Sequence, residues 1–222
     1  MQLLLQDDRI DPSAKDNFAI RWASDKGHHD VVKHLLTHPK VDPSANNNIS
    51  FIWACKHGHA KVVKLLLKDP RVNPCVNNNW GIRYASKKGH TKVVKVLLAD
   101  ERVDPAADDN WAIRYSSKKG HIKVVKLLLD DLRVNPTVLD NCAIRWAAKR
   151  GRDDIVKLLI LRTDMTTIDD QKILKIYSKL KSQDTIVNKI KKQMQKYDID
   201  GYFNCDNNLC LIRNGQVITT KK

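Results

Sequence analysis

Residues 18 to 36 read Phe-Ala-Ile-Arg-Trp-Ala-Ser-Asp-Lys-Gly-His-His-Asp-Val-Val-Lys-His-Leu-Leu, and the same grammar returns four times further along the chain. Glycine marks it most clearly. Gly27, Gly58, Gly89, Gly120 and Gly151 stand 31 residues apart, the first four followed by His28, His59, His90 and His121 and the last by Arg152. Five copies in register make internal repetition the first property to explain, because a fixed period of this length is the signature of stacked units. Before each glycine, a segment such as Ala19 to Lys26 reads as a short helix with small residues on part of its surface. After Gly-His, Val31, Val32, Leu35 and Leu36 and their equivalents have the spacing of one apolar helical face. A glycine between the two suits a left-handed helix end, where a side chain carries a steric cost.

Working outward, Asp11-Pro12, Asp42-Pro43, Asn73-Pro74, Asp104-Pro105 and Asn135-Pro136 supply turn chemistry between the helix pairs. Asn17, Asn48, Asn79, Asn110 and Asn141 directly precede each first helix. Their repetition predicts a helix N-cap, each side chain accepting from an orphan amide of the opening turn, worth about 1 kcal/mol per repeat. One helix pair is too small to bury its own apolar face, so neighbours must stack and share a continuous core. The expectation is an all-α solenoid of helix-turn-helix units: a partial repeat over residues 1–10, repeats over 11–41, 42–72, 73–103, 104–134 and 135–165, and a C-terminal region over 166–222. The opening Met1-Gln-Leu-Leu-Leu has only the end of a second helix, which predicts an uncapped or frayed first face.

The repeated string resembles the ankyrin repeat, whose motif runs T-P-L-H-x-A-A-x-x-G-H followed by a V-V-x-L-L helix. The likeness covers residues 11 to about 162. Here the period is 31 rather than the usual 33, x-A-I-R stands for T-P-L-H, and the inter-repeat stretch is shortened, which implies a tight loop in place of a long β-hairpin finger. The pattern in a Lys/Asn/Ile-rich chain is also similar to ankyrin arrays of large DNA viruses of amoebae, which implies a host-cell setting.

Beyond Thr163 the period is lost. A helix starting at Thr167 or Asp169 and running through Tyr177, and a longer one over Gln183 to Tyr197, predict a degenerate final repeat capping the stack. Leu209 to Ile212 and Gln216 to Thr219 flank Asn214-Gly215, a strong two-residue hairpin signal. Ile173-Leu174, Leu180 and Asp184-Thr-Ile bear a partial resemblance to F-box-type segments that follow some viral ankyrin arrays, without their opening Leu-Pro.

The chain has 40 Lys and Arg against 25 Asp and Glu, a net charge of +15, so acidic partners of every class need weighing. The charge is uneven: repeats 2 and 3 carry +3 and +4 and the tail +5, while Asp-rich loops interrupt any continuous basic stripe. That pattern disfavours nucleic acid, which needs a row of phosphate contacts. Five cysteines without a C-x-x-C indicate a reducing, intracellular and cytoplasmic setting, with Cys55 and Cys142 as buried thiols and Cys205 and Cys210 as ordinary tail residues. Lysine interrupts every apolar run, so no transmembrane segment is expected. The repeated histidines are too widely spaced to share a metal and read as structural; no catalytic, cofactor-binding or metal-ligating set is expected, and the chain reads as a noncatalytic monomer.

Within the repeats, Phe18/Trp22, Ile49/Trp53, Trp80/Tyr84, Trp111/Tyr115 and Cys142/Trp146 lie four apart on one helical face, either as inter-repeat packing or as a binding face. Arg21, Arg83, Arg114 and Arg145 are expected to bond carbonyls of the next loop or to stack on an aromatic ring. The ankyrin resemblance implies that the two positions before Gly-His, with the loop tips, look into a concave groove that contacts partners. It therefore implies a partner-binding face carrying Lys56, Trp80, Lys87, Lys88, Trp111, Lys118, Lys119, Lys149 and Arg150, and a protein partner with an acidic surface. Two further functions stay open: an adaptor whose tail recruits other machinery such as a ubiquitin ligase, and a basic solenoid binding nucleic acid or anionic membrane.

Overall fold

The computed structural model describes residues 10–163, 171–181, 201–205, 208–213 and 216–220. Its helices come in pairs: α1 (Ala14–Lys26) with α2 (His29–Leu35), α3 (Ala45–His57) with α4 (Ala60–Leu66), α5 (Val76–Lys88) with α6 (Thr91–Leu98), α7 (Ala107–Lys119) with α8 (Ile122–Leu129), and α9 (Val138–Lys149) with α10 (Asp153–Ile160). α11 (Gln171–Lys181) follows, then β1 (Gly201–Cys205), β2 (Asn208–Arg213) and β3 (Gln216–Thr220). Two compact units divide the chain, residues 1–116 with 123–134, and residues 117–122 with 135–222.

In the first unit like packs on like: α1 against α3 and α3 against α5 in one row, α2 against α4 and α4 against α6 in the other. The core between them is built from the periodic apolar positions, with Ile20, Val32, Leu35, Phe51, Val63, Leu66, Ile82, Val94 and Leu97 at 1% exposure or less. Phe51 is the one aromatic in a column otherwise filled by Ile20, Ile82 and Ile113. Its extra volume is accommodated by Gly81, where an added Cβ would lie 2.9 Å from the Phe51 ring.

The segment entering each first helix departs from the expected N-cap. Lys15-Asp16-Asn17, Asn46-Asn47-Asn48, Asn77-Asn78-Asn79, Asp108-Asp109-Asn110 and Leu139-Asp140-Asn141 each make a three-residue left-handed turn, with φ between 51° and 60°. Asn and Asp tolerate this region better than other side chains, which accounts for their runs here. The turn closes by a hydrogen bond from a backbone N–H to the carbonyl four residues back, as from Asn17 to Ser13 at 2.8 Å and from Asn110 to Ala106 at 2.7 Å. The recurrent asparagine therefore does not cap its own helix. Its Oδ1 instead accepts from the next repeat's backbone: from Asp42 N–H to Asn17 at 2.7 Å, and from Asn73 to Asn48 and Asp104 to Asn79 at 2.8 Å each. The Asp/Asn-Pro turns form as expected, with the side chain of Asp11, Asp42, Asn73, Asp104 or Asn135 accepting from the amide two residues on.

In four of the five repeats an arginine of the helix that follows bonds carbonyls of the left-handed turn; in the second repeat Ile52 stands in its place. Arg21 donates to Lys15 O at 3.0 Å, Arg83 to Asn78 O at 3.2 Å, Arg114 to Asp109 O at 2.8 Å and Asp108 O at 2.9 Å, and Arg145 to Leu139 O at 3.3 Å. These are carbonyls of the arginine's own repeat, not of the next loop. A different arginine reaches across repeats: Arg71, Arg102 and Arg133 each grip an Asp two residues earlier at 2.7 Å and donate to Val41, Val72 or Val103 O of the preceding repeat.

The glycines sit in the left-handed region with φ from 69° to 89°. They are also filled from outside, since a Cβ on Gly27 or Gly58 would meet the His59 or His90 ring at 2.4 and 2.8 Å. Those rings donate from Nε2 to Asp25 O at 2.8 Å and Lys56 O at 2.9 Å, so the Gly-His histidine is a joint between repeats. In the second unit Arg152 takes that place, its guanidinium 2.8 Å from a Cβ on Gly120.

The second unit holds α9 and α10 packed together, with α11 laid against both and Ile173 fully buried. β2 and β3 form the antiparallel hairpin expected on either side of residues 214–215, and β1 adds a third strand that the sequence reading missed. Register sets Cys210 opposite Phe203 and Cys205 opposite Asn208, so the two cysteines are not cross-strand partners. Residues 1–9, both proposed starts of the first tail helix and the helix expected over 183–197 lie outside the described residues.

Candidate functional site

The first helices carry the candidate site residues, and the structure divides those residues between two places. In the first unit α5 and α7 bring four rings into a ladder. Trp80 stacks on Tyr84 with centroids 3.9 Å apart and planes 10° from parallel, Tyr84 on Trp111 at 5.4 Å and 25°, and Trp111 on Tyr115 at 3.9 Å and 19°. The spacing of four within each helix makes the first and last contacts, and the 31-residue period makes the middle one. All four rings are half-buried. Tyr84 and Trp111 each stack with two rings, one on their own helix and one on the neighbouring first helix.

Cations line it. Lys87 Nζ lies 5.1 Å from the Tyr84 centroid and 5.5 Å from those of Trp111 and Tyr115, and the Arg83 guanidinium lies 5.2 Å from Trp111. Such contacts draw on the ring quadrupole. Arg83 is also tied to the Asp108 carboxylate of the following repeat at 2.6 Å, so it meets the expected ring, while the partner in the next loop is a carboxylate and not a carbonyl. Lys88 is exposed one residue beyond Lys87.

The second unit gathers Lys118, Trp146, Lys149 and Arg150 around a recess of about 110 Å³. Lys118 Nζ lies 4.3 Å from the Trp146 centroid. Lys149 closes α9 and Arg150 follows it, both exposed, while Lys118 and Trp146 are half-buried. Lys119 is exposed at the end of α7.

Lys56 belongs to neither group: it is half-buried in α3, and its carbonyl is the one that His90 holds. At the equivalent place in the first repeat the charge is reversed. Asp25 is bound by Lys26 at 2.9 Å and by His57 of the next repeat at 2.7 Å, and the Lys26 hydrogen bond holds its carboxyl below the usual range. The rings of that repeat stand most open, with Phe18 52% and Trp22 47% exposed.

Tyr84, Tyr115, Trp146 and Arg83 complete the two groups although the basic positions alone did not select them. The signal for the rings was their spacing of four; the signal for Arg83 was obscured because its column also serves the left-handed turns.

Cys55 and Cys142 are buried, and burial pushes the Cys55 thiol well above its ordinary pKa. The Cys75 Sγ donates to the Arg102 carbonyl. Among the described residues no three His, Cys, Asp or Glu side chains are placed to hold a metal ion, and no helix is long and apolar enough to cross a membrane.

A search of curated proteins finds no match to this chain. The sequence profile described as Ankyrin repeats (3 copies) matches residues 1–78 and 82–170, well over half of the sequence. Repeats of that kind generally mediate protein–protein interaction and typically form scaffolds without catalysis. Five helix pairs at a constant period, joined by glycine at the helix end and closed by tight turns, together with that match, place the chain in the ankyrin-repeat family.

Proposed function

We propose that the chain is a noncatalytic interaction scaffold that binds an acidic protein surface on the face carried by its first helices, the face that is concave in ankyrin arrays. The observation that carries this reading is the ladder of Trp80, Tyr84, Trp111 and Tyr115 with Lys87 beside three of its rings. A stacked ladder bordered by Lys87 and Lys88 offers apolar area and a positive field to one partner, and half-buried aromatics are the usual anchors of protein interfaces.

The same geometry weighs against single-stranded nucleic acid, which is held by bases stacking on open ring faces. Tyr84 and Trp111 are each already engaged with two other rings. The adaptor function belongs to the tail and is separated by comparing partners captured with and without residues 163–222. The scaffold reading is tested by affinity capture from cells expressing the chain or its Lys87→Glu, Lys88→Glu variant. The variant should lose the captured protein partners at least tenfold with unchanged helical circular dichroism. Undiminished capture would sink the ladder as the binding face.

A further inference from the structure

The recess of the second unit differs from the ladder in chemistry. One indole, Trp146, is ringed by Lys118, Lys149 and Arg150 in a volume of about 110 Å³. A recess of that size suits one small polar group. The Lys118 ammonium is already positioned, half-buried and seated 4.3 Å from the indole centroid.

Most other arginines with a defined role are neutralised inside the chain: Arg71, Arg83, Arg102, Arg133 and Arg145 each pair with an aspartate. Lys149 and Arg150 form no ion pair among the described residues, although Asp153 and Asp154 open the next helix. Asp154 is taken by Lys157 at 3.7 Å. Two consecutive cations at the end of α9 exceed what the helix C-terminus needs, since a helix dipole presents only about half a negative charge there.

Resting on the scaffold reading, we propose that this recess is a receptor for a phosphoryl group, presented by a phosphorylated serine or threonine of the protein partner. Charge decides between the two anions a protein can offer. A carboxylate brings one negative charge to the pair Lys149 and Arg150, whereas a phosphoryl group brings about 1.5 to 2 and three acceptor oxygens. Arg150 supplies a planar fork suited to two of those oxygens, and Lys118 and Lys149 act as point charges on the rest. Trp146 forms the apolar wall that excludes water on one side and raises the weight of each ion pair. The partner is then read at two places, by the ladder for its acidic apolar surface and by the recess for its modification state.

The test uses the full chain and needs no partner. The indole N–H signal of Trp146, identified by its loss in Trp146→Phe, is followed by NMR during titration with N-acetyl-phosphoserine amide and, separately, N-acetyl-glutamate amide. The expected result is a saturable shift with phosphoserine at least ten times tighter than with glutamate, weakened by added salt and lost in Lys149→Gln, Arg150→Gln. Both substitutions are at exposed positions, so helical content should be unchanged. No saturable shift, equal titration by the glutamate compound, or a shift retained in the double variant would each overturn the proposal. These outcomes are independent of the Lys87→Glu, Lys88→Glu capture experiment: partner capture that persists without phosphoserine binding removes the receptor and leaves the scaffold.

Discussion

Leu139 occupies the first position of a left-handed turn with φ of 51°, and its side chain is 53% exposed. Equivalent positions hold Lys15, Asn46, Asn77 and Asp108, the last three being residues whose short polar side chains relieve the contact between Cβ and the following carbonyl. Leu139→Asn should therefore stabilise the chain by about 1 kcal/mol, read as a rise of roughly 2–4 °C in the thermal midpoint for a protein of this size. An unchanged or lowered midpoint would mean that Leu139 makes a compensating contact. The same residues show how far the sequence could be read. Recurrence of Asn17 and its equivalents was visible, and so was its place before a helix. What it bonds was not, because the N-cap and the left-handed turn recruit the same residue type and only the three-residue run, Asn-Asn-Asn or Asp-Asp-Asn, distinguishes them. The glycine column was legible from steric grounds alone; the histidine filling it from the next repeat was not, since no local rule connects residues 32 apart.

At the level of helices and turns, the clips made by Asp69-Pro-Arg71, Asp100-Glu-Arg102 and Asp131-Leu-Arg133 join each repeat to the one before. Hydrogen bonding from the arginine holds the Asp69, Asp100 and Asp131 carboxyls below their ordinary pKa. A depressed native pKa means that the unfolded chain takes up protons first, so the stabilisation is complete above about pH 4–5 and is lost as the pH falls through the native values. Denaturant midpoints should therefore drop between pH 5 and pH 3, and replacing all three aspartates by Asn should flatten that slope while lowering the midpoint at pH 7. An identical slope in the variant would assign the acid sensitivity elsewhere. The D-x-R spacing is plain in the sequence, yet two residues of opposite charge so close together normally signify only a solvated turn. Their reach to Val41, Val72 and Val103 of the neighbouring repeat emerges only once the repeats are stacked. The aromatic face illustrates the same division: spacing put Trp80 beside Tyr84 and Trp111 beside Tyr115, but the Tyr84 to Trp111 contact that turns two pairs into a ladder is made between repeats.

For the molecule as a whole, stability in an array is a sum of each repeat and its immediate joints, so damage should remain near its source. Ile173, fully buried where α11 lies on α9 and α10, offers the test. Ile173→Asp should cost several kcal/mol locally through an unpaired buried charge. Amide hydrogen exchange should then accelerate in α9, α10 and α11 while α1 to α5 keep their protection; uniform acceleration would show that the chain unfolds as one cooperative body. The arrangement of joints in the first unit carries a further consequence, concerning inheritance. Gly27 receives His59 and Gly58 receives His90, Asn17 reaches Asp42 and Asn48 reaches Asn73, always at a constant offset. An in-frame duplication or deletion of one period within that unit, wherever its breakpoints fall, brings together a donor and an acceptor of the same kinds. Length can thus drift by whole repeats without the invention of a new contact, and natural variation in this region should appear as gains and losses of 31 residues far more often than of any other number.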